Sequence, residues 1–348
     1  MNFSPEQLAI FAHFRSGAGN LTIRARAGTG KTTTIKAAFE HAPEARILYA
    51  VFNKRNQKEA EEKIQDPRVE VKTLHSLGYA FIKRVWKNAR PDDEVETDRI
   101  LRAVPQFRDD REAIASILKL VGFAKNTCVQ ADKNKLNEIC EAQDIEPQFI
   151  EDALKVLEFS KQPDPQGRIS FNDMVWLPVA MGWVRPWYNL VCIDEAQDMN
   201  LPQLMMARVA SSGRVIVVGD DRQAIYDFRG AVQDGMGMMI VTLRASELGL
   251  TTTYRCPKSV VRIAAEIVPD YKAADSAPEG EVGSVPDVSS AQIGDAILSR
   301  LNAPLMPLAL SLLRKNIPAR IEGRDIGRQL IGMVRTMKAK SVPHFIER

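Results

Sequence analysis

One stretch limits what this chain can fold into more than any other: Ala25-Arg26-Ala27-Gly28-Thr29-Gly30-Lys31-Thr32. A short apolar run, Leu21 to Arg24, precedes it and reads as a strand, and a helix is expected from Lys31 to about Glu40. Strand, glycine turn and helix start, in that order, make a phosphate cradle. The glycines let the backbone curl so that successive N–H groups converge, and the helix N-terminus adds partial positive charge. The candidate phosphate-binding residues are Ala27, Gly28, Thr29, Gly30, Lys31, Thr32 and Thr33. Lys31 would reach the outer phosphates and the Thr32 hydroxyl would bind Mg²⁺. Ala25 stands where the usual pattern has its first glycine. The plainer alternative, a glycine turn before an ordinary helix, leaves a second motif downstream unexplained.

That second motif is Val191-Cys192-Ile193-Asp194-Glu195-Ala196-Gln197-Asp198, an apolar strand ending in adjacent carboxylates. Neighbouring strand residues point to opposite faces, but where the chain turns both can address one site. Asp194 would hold Mg²⁺ and Glu195 would orient and deprotonate an attacking water. Acids decorating a helix start are common, and beside a phosphate loop that explanation becomes minor.

The remaining apolar runs fix the architecture. Ile47 to Phe52, Val69 to Thr73 and Arg214 to Gly219 alternate with helical stretches, which argues for a doubly wound α/β core with parallel strands buried on both faces. The ligand then belongs at the carboxyl ends of the strands. Between Trp86 and Arg168 β-branched runs give way to helical spacing, as in Ala113-Ile114-Ile117-Leu118-Leu120-Val121, and an inserted helical subdomain is expected. Acidic residues outnumber basic ones there, so it is no basic arm. Thr251 to Pro257 is expected to close the core, followed by a helix from Lys258 to Ile267 and a linker over Asp270 to Ser290. A new α/β unit follows, with strands at Ala296–Ser299 and Ala319–Ile321 and helices at Pro304–Leu313 and Ile326–Met337.

Two short stretches have a structural and a functional explanation each. Ser4, Pro5 and Gln7 fit a capped helix start, and Gln7 serves either that cap or an adenine edge. Asp220 to Gly230 is a polar turn with Gln223, Tyr226, Phe228 and Arg229 after a core strand. Aromatics beside Arg suit base stacking and phosphate contact on single strands, although one of the two rings could equally be core.

The totals exclude some classes. With 45% hydrophobic and 26% charged residues the composition is that of a soluble globular protein, and no apolar run has the length of a membrane span. Cys128, Cys140, Cys192 and Cys256 are scattered, which suggests neither a zinc site nor a disulfide framework and fits a reducing cytoplasm. A net charge of +3 permits a nucleic-acid partner without announcing one, and the end from Ser311 to Arg348 carries nine Lys+Arg against three Asp+Glu.

Taken together the residues resemble a superfamily 1 helicase of the UvrD/Rep type. The ordered matches are Phe3…Gln7, A-x-x-G-T-G-K-T at 25–32, Asn53-Lys54, Thr73-Leu74-His75-Ser76, Phe171-x-Asp173, Ile193 to Asp198, Val218 to Gly230, and Tyr254-Arg255. The forms around Asn53-Lys54 and His75 are similar to the F-box DNA helicase and phage-like relatives. The resemblance implies that Lys31, Thr32, Asp194 and Glu195 bind and hydrolyse Mg-ATP and that Gln223 senses the γ-phosphate. It implies that Tyr254 stacks on adenine and Arg255 contacts the γ-phosphate. Asn53, Thr73, His75, Tyr226, Phe228 and Arg229 fall where the family meets single-stranded DNA. It implies a RecA-like core over 1–85 and 169–270, a helical insertion over 86–168, and the start of a second RecA-like domain over 271–348. The implied activity is an ATP-dependent translocase and helicase moving 3′ to 5′ in the cytoplasm of a bacterial or phage-infected cell, with no membrane partner. The alternative is an ATP-gated single-strand binder that does not unwind, whereas a P-loop ATPase or kinase unrelated to nucleic acid leaves Gln223 to Gly230 unexplained.

Three departures stand out. The aromatic two places before Asn in the family is Val51 here, with Phe52 one place later, which on a strand means the opposite face. Phe228 replaces the usual Trp. The later motifs T-x-H-x-x-K-G-x-E and V-A-x-T-R-A do not occur, so impaired ATP turnover is expected, with the missing arginine supplied by a protein or chain segment.

Overall fold

A computed structural model describes residues 3–92, 94–127, 130, 132–224, 235–285, 288–301 and 303–321. Contacts divide the chain into two units, Met1–Gly280 and Glu281–Arg348.

The first unit opens with α1 (Pro5–Ser16), β1 (Leu21–Ala25), α2 (Lys31–Phe39), β2 (Ile47–Val51), α3 (Lys54–Lys63), β3 (Val69–Thr73) and α4 (Leu74–Val85). The insertion holds β4 (Arg90–Pro91), α5 (Val95–Ala103), α6 (Arg111–Thr127), α7 (Lys133–Gln143), α8 (Ile150–Ser160) and β5 (Arg168–Ile169). The chain returns through α9 (Asp173–Ala180), β6 (Tyr188–Ile193), α10 (Leu201–Ala210), β7 (Ser211–Gly219), α11 (Gly235–Leu243) and β8 (Ser246–Leu250). It ends with β9 (Thr252–Thr253), α12 (Lys258–Ala265) and β10 (Lys272–Ala273).

Six strands make one parallel sheet in the order β3-β2-β6-β7-β1-β8. The chain thus has the expected α/β class with a parallel core. The period-2 alternation splits each apolar run between two cores. Ile47, Tyr49, Val51, Cys192, Ile216 and Val218 pack on one face with residues of α1 and α2. Leu48, Ala50, Val191, Ile193, Val215 and Val217 pack on the other with α4, α10 and α11. Phe52 packs against this second cluster and Val51 lies in the first, so the one-residue shift does change the face.

The insertion is pinched at its neck by β4 and β5, which pair in parallel. Its core is not closed on itself: Ile82 of α4 and Met174, Trp176 and Leu177 of α9 belong to the same cluster as α5 to α8. Gly78 lets α4 and α9 approach this closely, because a Cβ there would lie 1.8 Å from the Met174 carbonyl oxygen.

Three expectations are corrected. The sheet ends at β8, Ser246–Leu250, not in Thr251 to Pro257. An edge strand needs one partner and little burial, so its Ser, Glu and Gly give no apolar run. Residues 271–280 pack within the first unit, since β10 pairs with β9 and Lys258 N donates to Pro278 O at 2.9 Å. In the second unit α13 (Leu305–Arg314) forms nearly as expected, but 296–299 and 319–321 form no strand and Leu298 is 93% exposed. Short strands without a neighbouring ladder have nothing to pair with. The helix expected at Ile326–Met337 lies outside the described residues, among which no helix is long and apolar enough to cross a membrane.

Candidate functional site

The sheet order sets the carboxyl ends of β6, β7, β1 and β8 side by side. The phosphate loop follows β1, Asp194-Glu195 follows β6, Asp220 to Gln223 follows β7, and Tyr254-Arg255 comes soon after β8. Motifs far apart in sequence therefore meet along one edge, as the doubly wound topology requires.

The loop is built from left-handed glycines, Gly28 at φ 70° and Gly30 at φ 78°. Gly28 is also sterically obliged, because a Cβ would sit 2.6 Å from Thr253 Oγ1 and 2.7 Å from Arg255 Cβ. Tyr254 N donates to Gly28 O at 2.9 Å, so the 253–255 segment lies directly on the loop. Thr29 is buried and donates to Arg26 O at 2.8 Å, and Tyr271 Oη donates to Ala27 O at 2.8 Å. Gly30 caps α2 without a side chain, which leaves the first N–H groups of that helix to a ligand. Ala27 and Thr32 are partly exposed at this helix start, and Thr33 is exposed.

Lys31 Nζ lies 2.5 Å from Glu195 Oε2 and 3.4 Å from Asp194 Oδ1. Burial acts to lower its pKa, and the two carboxylates outweigh that and raise it. Asp194 is 6% exposed, and burial pushes its pKa up against the pull of Lys31. Glu195 adopts φ 51° and ψ 45°. This left-handed turn at a non-glycine residue is what brings two adjacent carboxylates to one lysine, and it stores backbone strain at the site. Among the described residues no three of His, Cys, Asp and Glu form a metal cluster. The oxygen donors here, the Thr32 hydroxyl and the Asp194 carboxylate, fit Mg²⁺, which takes few protein ligands and completes its shell with water and phosphate.

Gln7 is hydrogen-bonded within the fold at both ends of its amide. Its Oε1 accepts from Ser4 N at 2.9 Å and its Nε2 donates to Thr34 Oγ1 at 2.8 Å, so the capping box is formed and also tied to α2. Gln223 is exposed, and its Nε2 donates to Asp220 Oδ2 at 2.6 Å. Tyr254 is 56% exposed and Arg255 is exposed beside it. Tyr226, Phe228 and Arg229 lie outside the described residues.

Of the other DNA candidates, Asn53 is exposed and caps α3. Thr73 is 5% exposed, and its hydroxyl accepts from Ser76 N, so its side chain caps α4. His75 packs on Phe171 at 4.5 Å between ring centres. Burial lowers the His75 pKa to about 4, so the imidazole is neutral near pH 7.

Two residues escaped nomination from sequence. Phe171 is 47% exposed beside His75, on a turn locked by Ser170 N donating to Asp173 Oδ2 at 2.9 Å. Its place in Phe171-x-Asp173 was visible, but exposure is not a sequence property. Tyr49 is fully buried in β2 and donates from its hydroxyl to Asp194 Oδ2 at 2.6 Å. It reads as one more core aromatic until the pairing of β2 with β6 is known.

Residues 3–240 match the family described as UvrD/REP helicase N-terminal domain. A probable DNA helicase II homolog of Mycoplasma pneumoniae is 24% identical over 308 residues, covering 77% of this chain and 42% of that protein. DNA helicase II of Haemophilus influenzae is 23% identical, covering 88% of this chain and 49% of the relative. The ATP-dependent DNA helicase PcrA of Staphylococcus aureus is 23% identical, with shares of 72% and 38%. The chain spans less than half the length of these relatives.

Proposed function

The chain belongs to the UvrD/REP helicase family, and on that premise we propose that it carries the ATP site of a motor that moves 3′ to 5′ along single-stranded DNA and opens duplexes. The observation that carries this is the meeting of the phosphate loop, Asp194-Glu195, Gln223 and Tyr254-Arg255 at four adjacent strand ends.

The phosphates of ATP dock on the N–H groups of 27–33. Lys31 exchanges its two carboxylate partners for the β- and γ-phosphates, which frees Glu195. Glu195 accepts a proton from water as the water oxygen bonds to the γ-phosphorus and the bond to the ADP oxygen breaks. Thr32 and Asp194 hold Mg²⁺, which when bound neutralises charge on the phosphate oxygens. Gln223 and Arg255 read the γ-phosphate, and Tyr254 stacks on the base. Gln7, already bonded on both sides, supports α2 and meets adenine only if those bonds rearrange. On the DNA side His75 and Phe171 offer a ring pair for base stacking, and Asn53, Tyr226, Phe228 and Arg229 are assigned to DNA by the family resemblance alone. Residues 1–85 and 169–280 are assigned to the ATP-binding core, 86–168 to the insertion, and the residues beyond 280 to a second core domain. A cytoplasmic setting is part of the same proposal.

The test is steady-state ATP hydrolysis with and without single-stranded DNA, with Lys31→Ala as the blank. DNA-stimulated turnover abolished by the substitution supports a working motor site. Nucleotide and DNA binding without turnover marks instead an ATP-gated binder, which needs no second arginine. Failure to bind nucleotide at all refutes both.

A further inference from the structure

Arg26 stands inside the phosphate loop, yet its side chain leaves it. Arg26 is 8% exposed, and its guanidinium is shared among three carboxylates. Nη1 donates to Asp220 Oδ1 at 2.7 Å and to Asp221 Oδ1 at 2.9 Å, while Nη2 donates to Asp270 Oδ2 at 2.9 Å and Nε reaches both Asp270 oxygens at 3.1 Å. The main chain of the same residue bonds Leu250 O at 2.9 Å through its N–H and receives Thr29 Oγ1 at 2.8 Å on its carbonyl. One residue thus fastens the loop to the ends of β7 and β8 and to Asp270.

The contacts run on from Asp220, which is 3% exposed. Its Oδ2 accepts Gln223 Nε2 at 2.6 Å, and its N–H donates to Gln197 Oε1 at 3.0 Å. Gln197 Nε2 donates to Glu195 Oε2 at 2.9 Å, the oxygen that also meets Lys31. A chain of contacts therefore runs from Arg26 through Asp220, Gln197 and Glu195 to Lys31, with Gln223 hung from Asp220.

We propose that Arg26 is a positioning residue for recognition of the terminal phosphate: it holds the Asp220 carboxylate in place, and Asp220 in turn orients the Gln223 amide. This rests on the nucleotide site proposed above and on Gln223 reading the γ-phosphate there. A buried carboxylate that loses its cation shifts toward another donor. That shift displaces the acceptor that fixes the Gln223 amide. Lysine is no substitute, because one ammonium cannot span three carboxylates as the planar fork does.

The experiment uses the full chain with Mg²⁺ and measures affinity for ADP and for the non-hydrolysable triphosphate AMP-PNP, by displacement of a fluorescent ADP. The wild type prefers the triphosphate. Gln223→Ala removes about tenfold or more of that preference, the weight of a hydrogen bond to a charged group. Arg26→Gln removes the same part with little change in ADP affinity, Arg26→Lys removes less, and Arg26→Gln with Gln223→Ala is no worse than either alone, as residues acting in series require. The inference is overturned if Arg26→Gln keeps the preference, weakens both nucleotides equally, or adds to Gln223→Ala. Should Arg26→Gln fail to fold, Arg26→Lys decides: an unchanged preference overturns the inference and a partial loss supports it. A preference that survives Gln223→Ala removes the role of Gln223 and this inference together. A wild type that binds neither nucleotide refutes the proposed function itself.

Discussion

Tyr49 keeps its ring in the core on one face of β2 while its hydroxyl donates to Asp194, and burial together with Asp194 raises its pKa well above the usual phenol value. Tyr49→Phe leaves a buried carboxylate oxygen short of a donor. We expect a loss of about 1–3 kcal/mol in urea unfolding and weaker Mg²⁺-dependent nucleotide binding; an unchanged midpoint would show the bond to be dispensable. In pKa, His75 is shifted by burial in the opposite direction. Its folded pKa is about 4 against an ordinary 6.5, with burial as the cause. The unfolded chain therefore binds the proton more readily, and stability is full above about pH 6.5 and falls as pH drops toward 4. Allowing for partial solvent contact, the loss between pH 7 and pH 5 is about 1 kcal/mol. His75→Phe keeps a ring against Phe171, and its urea midpoint should lose that pH dependence; an identical slope in the variant would contradict the assignment.

The junction of the insertion with α9 is held by buried charge rather than by apolar contact alone. Lys125 Nζ lies 2.8 Å from Asp173 Oδ1 and 2.5 Å from Glu96 Oε1, and Arg99 Nη1 also meets Asp173. Burial would raise the Asp173 pKa, but Lys125 and Arg99 bring it down to about 2. The stabilisation is present above about pH 4 and is lost as pH falls through 2. Asp173→Asn leaves two buried cations facing Glu96 and should cost about 3–5 kcal/mol in urea unfolding at pH 7, with loosening of the turn that carries Phe171. Wild-type stability in that variant would mean that the cluster is hydrated. These pairings join α5, α6 and α9, elements some fifty or more residues apart in places, as in the 74-residue separation of Arg99 and Asp173. Helical spacing disclosed the helices of the insertion but carried no sign of which charges would be buried together.

At the scale of the whole molecule, every described residue assigned to nucleotide lies within Met1–Gly280. A chain ending at Gly280 is expected to unfold cooperatively and to bind AMP-PNP as tightly as the full chain; loss of that binding would show that residues beyond 280 contribute to the site. The sequence by itself determined the glycine turn after β1, the carboxylate pair and the parallel core, because each depends on local spacing: glycine where φ is positive, apolar runs where strands are buried on both faces, carboxylates where a strand ends. It also located the helices between Val95 and Ser160, whose periodicity is local too. The edge strand Ser246–Leu250 escaped because an edge makes few demands on composition. Arg26, Tyr49 and Phe171 gained their meaning only from the fold. A hydrogen bond from Tyr49 to Asp194 spans 145 residues and one from Arg26 to Asp220 spans 194. Contacts of that range depend on strand order and register, which decide which strand ends become neighbours and which side chains are left without water.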